Sequence, residues 1–310
     1  MSTAYSSLPM VLSAVLYLLA MVAHAVEWAA DRRPVREPAP VAAGDTGGIA
    51  TAIPGAAAES EHRVRLFGRI GVALTVVGAL AHIAGVVLRG VAAERLPWGN
   101  MYEFVTSALA FAVVFHLVLV WRRGWTWLGL PVTLLLSVGQ GLAVTVFYVA
   151  IAPLVPALHS VWFIVHIVAA AVSAAAFNVA AISAILYLVR TRAEARGEVT
   201  GYLARLPKAA ALDDLSFRVH RFAFPLWTFT ILAGAVWADY AWGRFWGWDP
   251  KETWSLITWV VYAAYLHARV TAGWKGVRAA WLAILGVVTF WFNFVGVNLL
   301  TVGLHSYAGI

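Results

Sequence analysis

Five tryptophans fall within eighteen residues: Trp237, Trp242, Trp246, Trp248 and Trp254. Interfacial aromatic belts account for a few tryptophans near a helix end, but not for this density. Trp248 is set between Gly247 and Asp249. The spacing predicts a flat apolar surface with indole N–H groups at its edge. Such a surface suits a large planar ligand with apolar faces and a charged rim. Arg244 and Lys251 are the nearby cations; they can meet such a rim or anchor the interface.

Histidines supply the second set of candidates. Nine are present, several within apolar runs, where an imidazole is costly and a functional candidate by default. His305 lies in Gly303-Leu-His305-Ser-Tyr307 after the last apolar run, and His166 lies about 10 Å below the start of another. Both belong to the zone of the tryptophan stretch. Two imidazoles flanking an aromatic platform are what an iron porphyrin with two nitrogen ligands requires. His267 sits near the opposite end of its run, as a ligand deeper in the bundle or as a helix-end residue. His82 lies mid-span, a candidate for an inter-helix hydrogen bond. His24 and His116 read as residues near helix ends. His159 lies at the water boundary, less constrained than His166, and His62 and His220 read as cytoplasmic-side residues that carry no signal.

The elements that position these residues follow from composition. Apolar residues make up 62% of the 310-residue chain and charged residues 12%, against about 45–50% and 25% in soluble domains. With a mean hydropathy of +0.80, too little polar surface remains to cover a water-soluble globule. The absence of cysteine excludes disulfides, thiolate metal sites and cysteine nucleophiles on this chain. The net charge of +7 comes from scattered residues without a dense basic block, which argues against nucleic acid and for topogenic charge.

Eight apolar runs are long enough to span a bilayer: 6–29, 67–90, 101–121, 126–151, 159–189, 222–241, 253–270 and 279–302. In lipid they must be helices, which bond their own backbone. The expected fold is therefore an all-α polytopic membrane protein. With the N-terminus outside, 18 of the 22 Lys and Arg fall on cytoplasmic connections or inner helix ends, and Arg89, Arg95, Arg244 and Lys251 remain as outer charges. That imbalance predicts an N-out, C-out bundle with the tryptophan loop outside. Residues 1–66 read as one helix plus a linker, flexible over 38–60, and residues 67–310 as one membrane domain with the loop at 237–254. Segment 191–216 reads as carrying a short amphipathic helix on the inner surface. Asp249-Pro250-Lys251-Glu252 predicts a capping box opening the seventh helix, and Asn100 to Glu103 a second cap.

Trp242-Gly-Arg-Phe-Trp246-Gly-Trp248-Asp249 resembles the WWD signature of haem-handling membrane proteins. Its continuation through Asp249-Pro250-Lys251-Glu252-Thr253-Trp254 to His267, together with Gly303-Leu-His305-Ser-Tyr307 and Trp162-Phe-Ile-Val-His166, resembles the system II cytochrome c synthase family of the CcsA/ResC type, called CcsB in actinobacteria. The resemblance covers about residues 80–310. It implies a haem lyase subunit that presents haem b, as substrate, at the outer face of the bacterial plasma membrane. There the vinyl groups join the Cys-x-x-Cys-His motif of apocytochrome c. By position, His166 and His305 resemble the external pair of iron ligands and His267 the ligand for haem within the membrane. Trp242, Trp246, Trp248 and Asp249 resemble the reacting platform, with Trp237, Trp254 and Arg244 as further haem contacts. The resemblance also implies a separate ResB-like membrane subunit. A haem exporter or delivery chaperone without ligation chemistry is the competing class, and a structural anchor subunit the weaker third.

Overall fold

The computed structural model describes residues 2–30 and 54–305, and among these every regular element is helical. Eight long helices dominate the described residues: α1 (Ser2–Ala30), α2 (Pro54–Ala93), α3 (Met101–Arg123), α4 (Gly129–Thr145), α5 (Val161–Arg196), α7 (Ala209–Trp242), α8 (Pro250–Val270) and α9 (Val277–Trp291), with the one-turn α6 (Tyr202–Arg205) between α5 and α7. The chain then passes through a π-turn, Phe292–Gly296, into α10 (Val297–Leu300). Seven segments are long and apolar enough to cross a membrane. The eighth run is the 21-residue α8, long enough to span but more polar because it carries Lys251, Glu252, Ser255, His267 and Arg269.

Helix boundaries follow local chemistry. Asn100 Oδ1 accepts from Glu103 N at 2.9 Å to open α3. Asp249 and Glu252 form the expected capping box on α8. Gly243 ends α7 at φ 70° and turns the chain into the tryptophan loop. The α1–α2 hairpin closes on small residues, with Gly71, Gly78 and Gly85 of α2 spaced by seven and facing α1. A Cβ on Gly78 would lie 2.9 Å from the Tyr17 ring, so the two backbones approach as only glycine permits.

Several boundaries depart from the apolar runs. α2 begins at Pro54, not 67, so residues 54–60 are helical, whereas the rest of the expected linker lies outside the described residues. The polar extension is supported by the i,i+4 pairs Glu59–Arg63 and Glu61–Arg65. α4 stops at Thr145, and the chain beyond it, containing Pro153 and Pro156, wraps the bundle end. Segment 191–216 does carry a short helix, the one-turn α6, set between the end of α5 and the first turns of α7. Because α7 starts at Ala209, His220 is carried inside the bundle instead of lying on the cytoplasmic side. It is fully buried among Phe177, Tyr262 and Tyr265. His82 does make an inter-helix hydrogen bond, with the Tyr17 hydroxyl at 3.1 Å.

Candidate functional site

The tryptophan loop closes one end of a cavity of about 280 Å³ bounded by α3, α4, α5, α7 and α9. That volume sits at the lower edge of the ~300–1,000 Å³ typical of ligand pockets. Its wall is mainly aliphatic and aromatic, with His166, His305 and Lys251 among the few polar groups at the loop end.

Both imidazoles have a defined tautomer. His166 Nδ1 lies 2.9 Å from the Thr230 carbonyl oxygen. A carbonyl only accepts, so Nδ1 carries the proton and Nε2 the lone pair of the neutral ring. Gly234 makes room for this ring on α7, where a Cβ would come within 2.8 Å of Nδ1. His305 Nδ1 likewise donates to Asp249 Oδ1 at 2.9 Å; in the neutral ring this leaves Nε2 as the lone-pair nitrogen. A carboxylate or carbonyl fixing the far nitrogen is the usual support of a metal-ligating histidine.

Trp237 stands between the two. Its ring centroid is 5.8 Å from that of His166, nearly parallel, and 5.5 Å from that of His305, edge-on. Trp237 is itself pinned by an Nε1–H bond to the Ala157 carbonyl at 2.7 Å. Trp242 completes the corner, 5.0 Å from Trp237 and 4.9 Å from His305. The expected flat shelf is therefore replaced by an angled one. Trp237 and Trp242 are inclined by 57°, and Trp246 and Trp248 by 88°. Trp237 and Trp242 project from α7, Trp254 from α8, and only Trp246 and Trp248 from the loop between them, so no single backbone plane carries all five indoles.

The structure brings His166, His305, Trp237, Trp242 and Asp249 into one chain of contacts, and Trp246 lines the same cavity as His166, His305 and Trp237. The other candidates stand apart. Trp248 is 68% exposed and adopts φ 59°, uncommon for a bulky residue. Trp254 packs against Phe292 at 4.2 Å, outside the cavity lining. Arg244 is drawn to Glu252 at 3.4 Å. His267 is exposed on α8 beside Thr271 and does not line the cavity. His159 is also exposed. Of the two loop cations, Lys251 lines the cavity, with Nζ 3.5 Å from the Phe294 carbonyl.

Asp249 serves three donors at once: His305 Nδ1, Leu304 N at 2.7 Å and Lys251 N at 3.0 Å. Burial pushes its carboxyl upward. The hydrogen bond and charge of His305 and the two amides outweigh burial and hold it at about 2, below its ordinary 3.8. The stability that follows from this depression is complete above about pH 4 and is lost as pH falls toward 2. One carboxylate thus both caps α8 and holds the His305 ring, which the cap signature in the sequence only half revealed.

Sequence reasoning missed a second ionic assembly. Arg89 and Arg95, counted there as outer charges, both bind the fully buried Glu103, at 2.9 and 2.7 Å. Glu103 also accepts from Gly99 N at 2.8 Å. This fastens the turn carrying Trp98, which packs on the cluster around Trp237. The signal was present as an acidic residue at the start of α3 and an arginine at the end of an apolar run, but nothing local links them.

Comparison with known proteins fixes the family. Residues 76–305 match the family described as Cytochrome C assembly protein. The chain belongs to that family. It is 38% identical over 259 residues to the cytochrome c biogenesis protein CcsA of Guillardia theta, covering 77% of this chain and 85% of that one. It is 35% identical over 297 residues to CcsA of Picosynechococcus sp. (strain ATCC 27264 / PCC 7002 / PR-6), covering 77% and 87%. Among solved structures, the cytochrome c heme lyase CcmF shares the fold at a TM-score of 0.61 and 16% identity. All of this chain is covered by that match, and it spans about half, 49%, of CcmF. This cytochrome c assembly protein is thus a multi-pass helical membrane protein of cytochrome c biogenesis. Asp249→Asn tests what the Asp249–His305 bond supports: if His305 is an iron ligand, affinity for added hemin falls about 10–100-fold, measured by absorbance titration, with the helical circular dichroism retained. Unchanged affinity would mean that the Asp249–His305 bond does not orient an iron ligand.

Proposed function

We propose that the chain holds haem, as substrate, in the loop-end cavity with the Nε2 atoms of His166 and His305 as iron ligands. The observation that carries this reading is the pair of lone-pair nitrogens on one cavity, each ring locked through its Nδ1. The apolar wall accepts the porphyrin faces, and Lys251 is the cation available to a propionate. By charge bias, the loop end faces the outside of the bacterial plasma membrane.

The reaction is thioether attachment to the Cys-x-x-Cys-His segment of apocytochrome c, in complex with a ResB-like membrane subunit. Each thiol S–H adds across one vinyl C=C. Sulfur bonds to one carbon, the proton ends on the other, and no electrons are exchanged. The thiols belong to the substrate, in keeping with a chain that has no cysteine. The enzyme contributes position: holding porphyrin and peptide together converts a bimolecular encounter into an intramolecular one, worth up to about 7–11 kcal/mol. Trp242, Trp246 and Asp249 frame the reacting edge. His267, outside this cavity, is left to a membrane-facing contact with haem and the partner.

The test supplies this chain, the partner subunit and an apocytochrome, then extracts the product with acid–acetone. A ligase leaves haem on the polypeptide. Fully extractable haem would overturn the thioether step and favour delivery without ligation.

A further inference from the structure

Helices α1 to α4 pack on one another, as do α5, α7, α8 and α9, and the two layers touch chiefly where α3 meets α5. The cavity is the cleft between these layers, and it runs from the tryptophan loop along α3 as far as Leu119. Its far half is walled by Phe115 and Leu119 of α3, Val132 and Leu135 of α4, and Val179 and Ile182 of α5. Asn178, midway, is already engaged: it donates to the Ala174 carbonyl at 2.8 Å and accepts from Trp291 Nε1 at 3.1 Å. Apart from the buried His116, the wall beyond it is hydrocarbon.

One stripe of α3 faces this space. Phe104, Ala108, Ala112, Phe115 and Leu119 line it, at the spacings of three and four that share a helix face. The next positions of the stripe are Arg122 and Arg123, both exposed. Among the described residues, neither has a carboxylate within ion-pair distance, whereas Arg190, Arg205 and Arg269, on the same side by charge bias, are each held by one. Trp121 is 80% exposed, with the Arg122 guanidinium 5.6 Å from its ring. An exposed tryptophan beside arginines at a helix end marks the level of the lipid headgroups. Ala112 lies about 16 Å along α3 from Arg123. One leaflet supplies about 15 Å of hydrocarbon, half of the ~30 Å core. An apolar slot one leaflet deep, ending in two guanidinium groups at headgroup level, matches a chain within and a phosphate at its mouth.

We infer that the far half of the cavity is a binding slot for one acyl chain of an anionic phospholipid of the inner leaflet, its phosphate held by Arg122 and Arg123. The lipid fills the cleft between the two helical layers below the loop-end site. This inference does not depend on the haem reading above.

The test is native mass spectrometry of the delipidated full chain in detergent, titrated with dioleoyl phosphatidylglycerol or dioleoyl phosphatidylcholine. One phosphatidylglycerol should be retained per chain, with a preference of about tenfold or more over the choline lipid. The double variant Arg122→Gln, Arg123→Gln should bring that preference close to unity. Dihexanoyl phosphatidylglycerol, with the same phosphate on chains too short to follow the slot, and glycerol 3-phosphate should not compete. Ala112→Phe fills the slot three turns from the arginines and should release the dioleoyl lipid, with the helical circular dichroism retained; should that variant not fold, the chain-length comparison decides alone. Competition by the short-chain lipid, or retention untouched by a folded Ala112→Phe, would place the lipid on the surface and overturn the slot. Equal retention of the two headgroups in the parent chain would overturn the role of the arginines. Displacement of the lipid by one equivalent of hemin from a His166→Ala, His305→Ala chain would assign the slot to haem instead.

Discussion

A chain carrying His166→Ala or His305→Ala is expected to lose at least about nine-tenths of its loop-end haem and its ability to mature cytochrome c, because in the function we propose each removes one of two ligands to the iron. Neither substitution removes a helix cap or an ion pair between helices. His166 contributes one bond, to the Thr230 carbonyl, and His305 one, to Asp249, so the fold should survive. Imidazole added to the medium should re-enter the vacated position and restore a low-spin spectrum in both variants. His159→Ala is the matched control: it removes an exposed imidazole one residue before the cap of α5 and should leave haem and activity unchanged. Full haem content and normal cytochrome c in both ligand variants would overturn the assignment.

The largest effect on stability is expected at Glu103. Its carboxylate is 0% exposed and joins Arg89, Arg95 and the Gly99 amide. Glu103→Gln leaves two guanidinium groups facing a neutral amide, and Arg89 is as deeply buried as its partner. Breaking a buried pair from one side costs about 3–5 kcal/mol. The measurement is thermal or denaturant unfolding in detergent, compared with Arg63→Ala. Arg63 belongs to an exposed i,i+4 pair with Glu59, where about 0–1 kcal/mol is at stake. Equal midpoints for the two variants would show that the Glu103 assembly is not holding the bundle end together. Because the same carboxylate fastens the turn bearing Trp98 next to the Trp237 cluster, weakened hemin binding should accompany the loss of stability.

Much of this molecule could be read along the chain. The apolar runs became helices, because backbone amides in lipid have no other partner. Asn100 and Asp249 became caps, since a cap needs only residues within one turn. The family was legible in the Trp242–Trp254 stretch. The polar extensions were harder: the start of α2 at Pro54 and of α7 at Ala209 lie in segments whose helicity depends on ion pairs and packing instead of on apolar run length. His220 was misplaced for that reason.

Residue order and type determine that eight helical runs form, where they are capped and that an indole-rich loop closes one end. They do not determine which helices become lateral neighbours, because that depends on side-chain complementarity between segments far apart in sequence. The tertiary structure alone brings α5 beside α7, so that His166 meets Thr230, and folds the chain after α10 onto Asp249, so that His305 faces the same space. It separates His267 and Trp254 from that space, although their spacing in the motif looks equally purposeful. It also turns two arginines from surface charges into the clamp on Glu103.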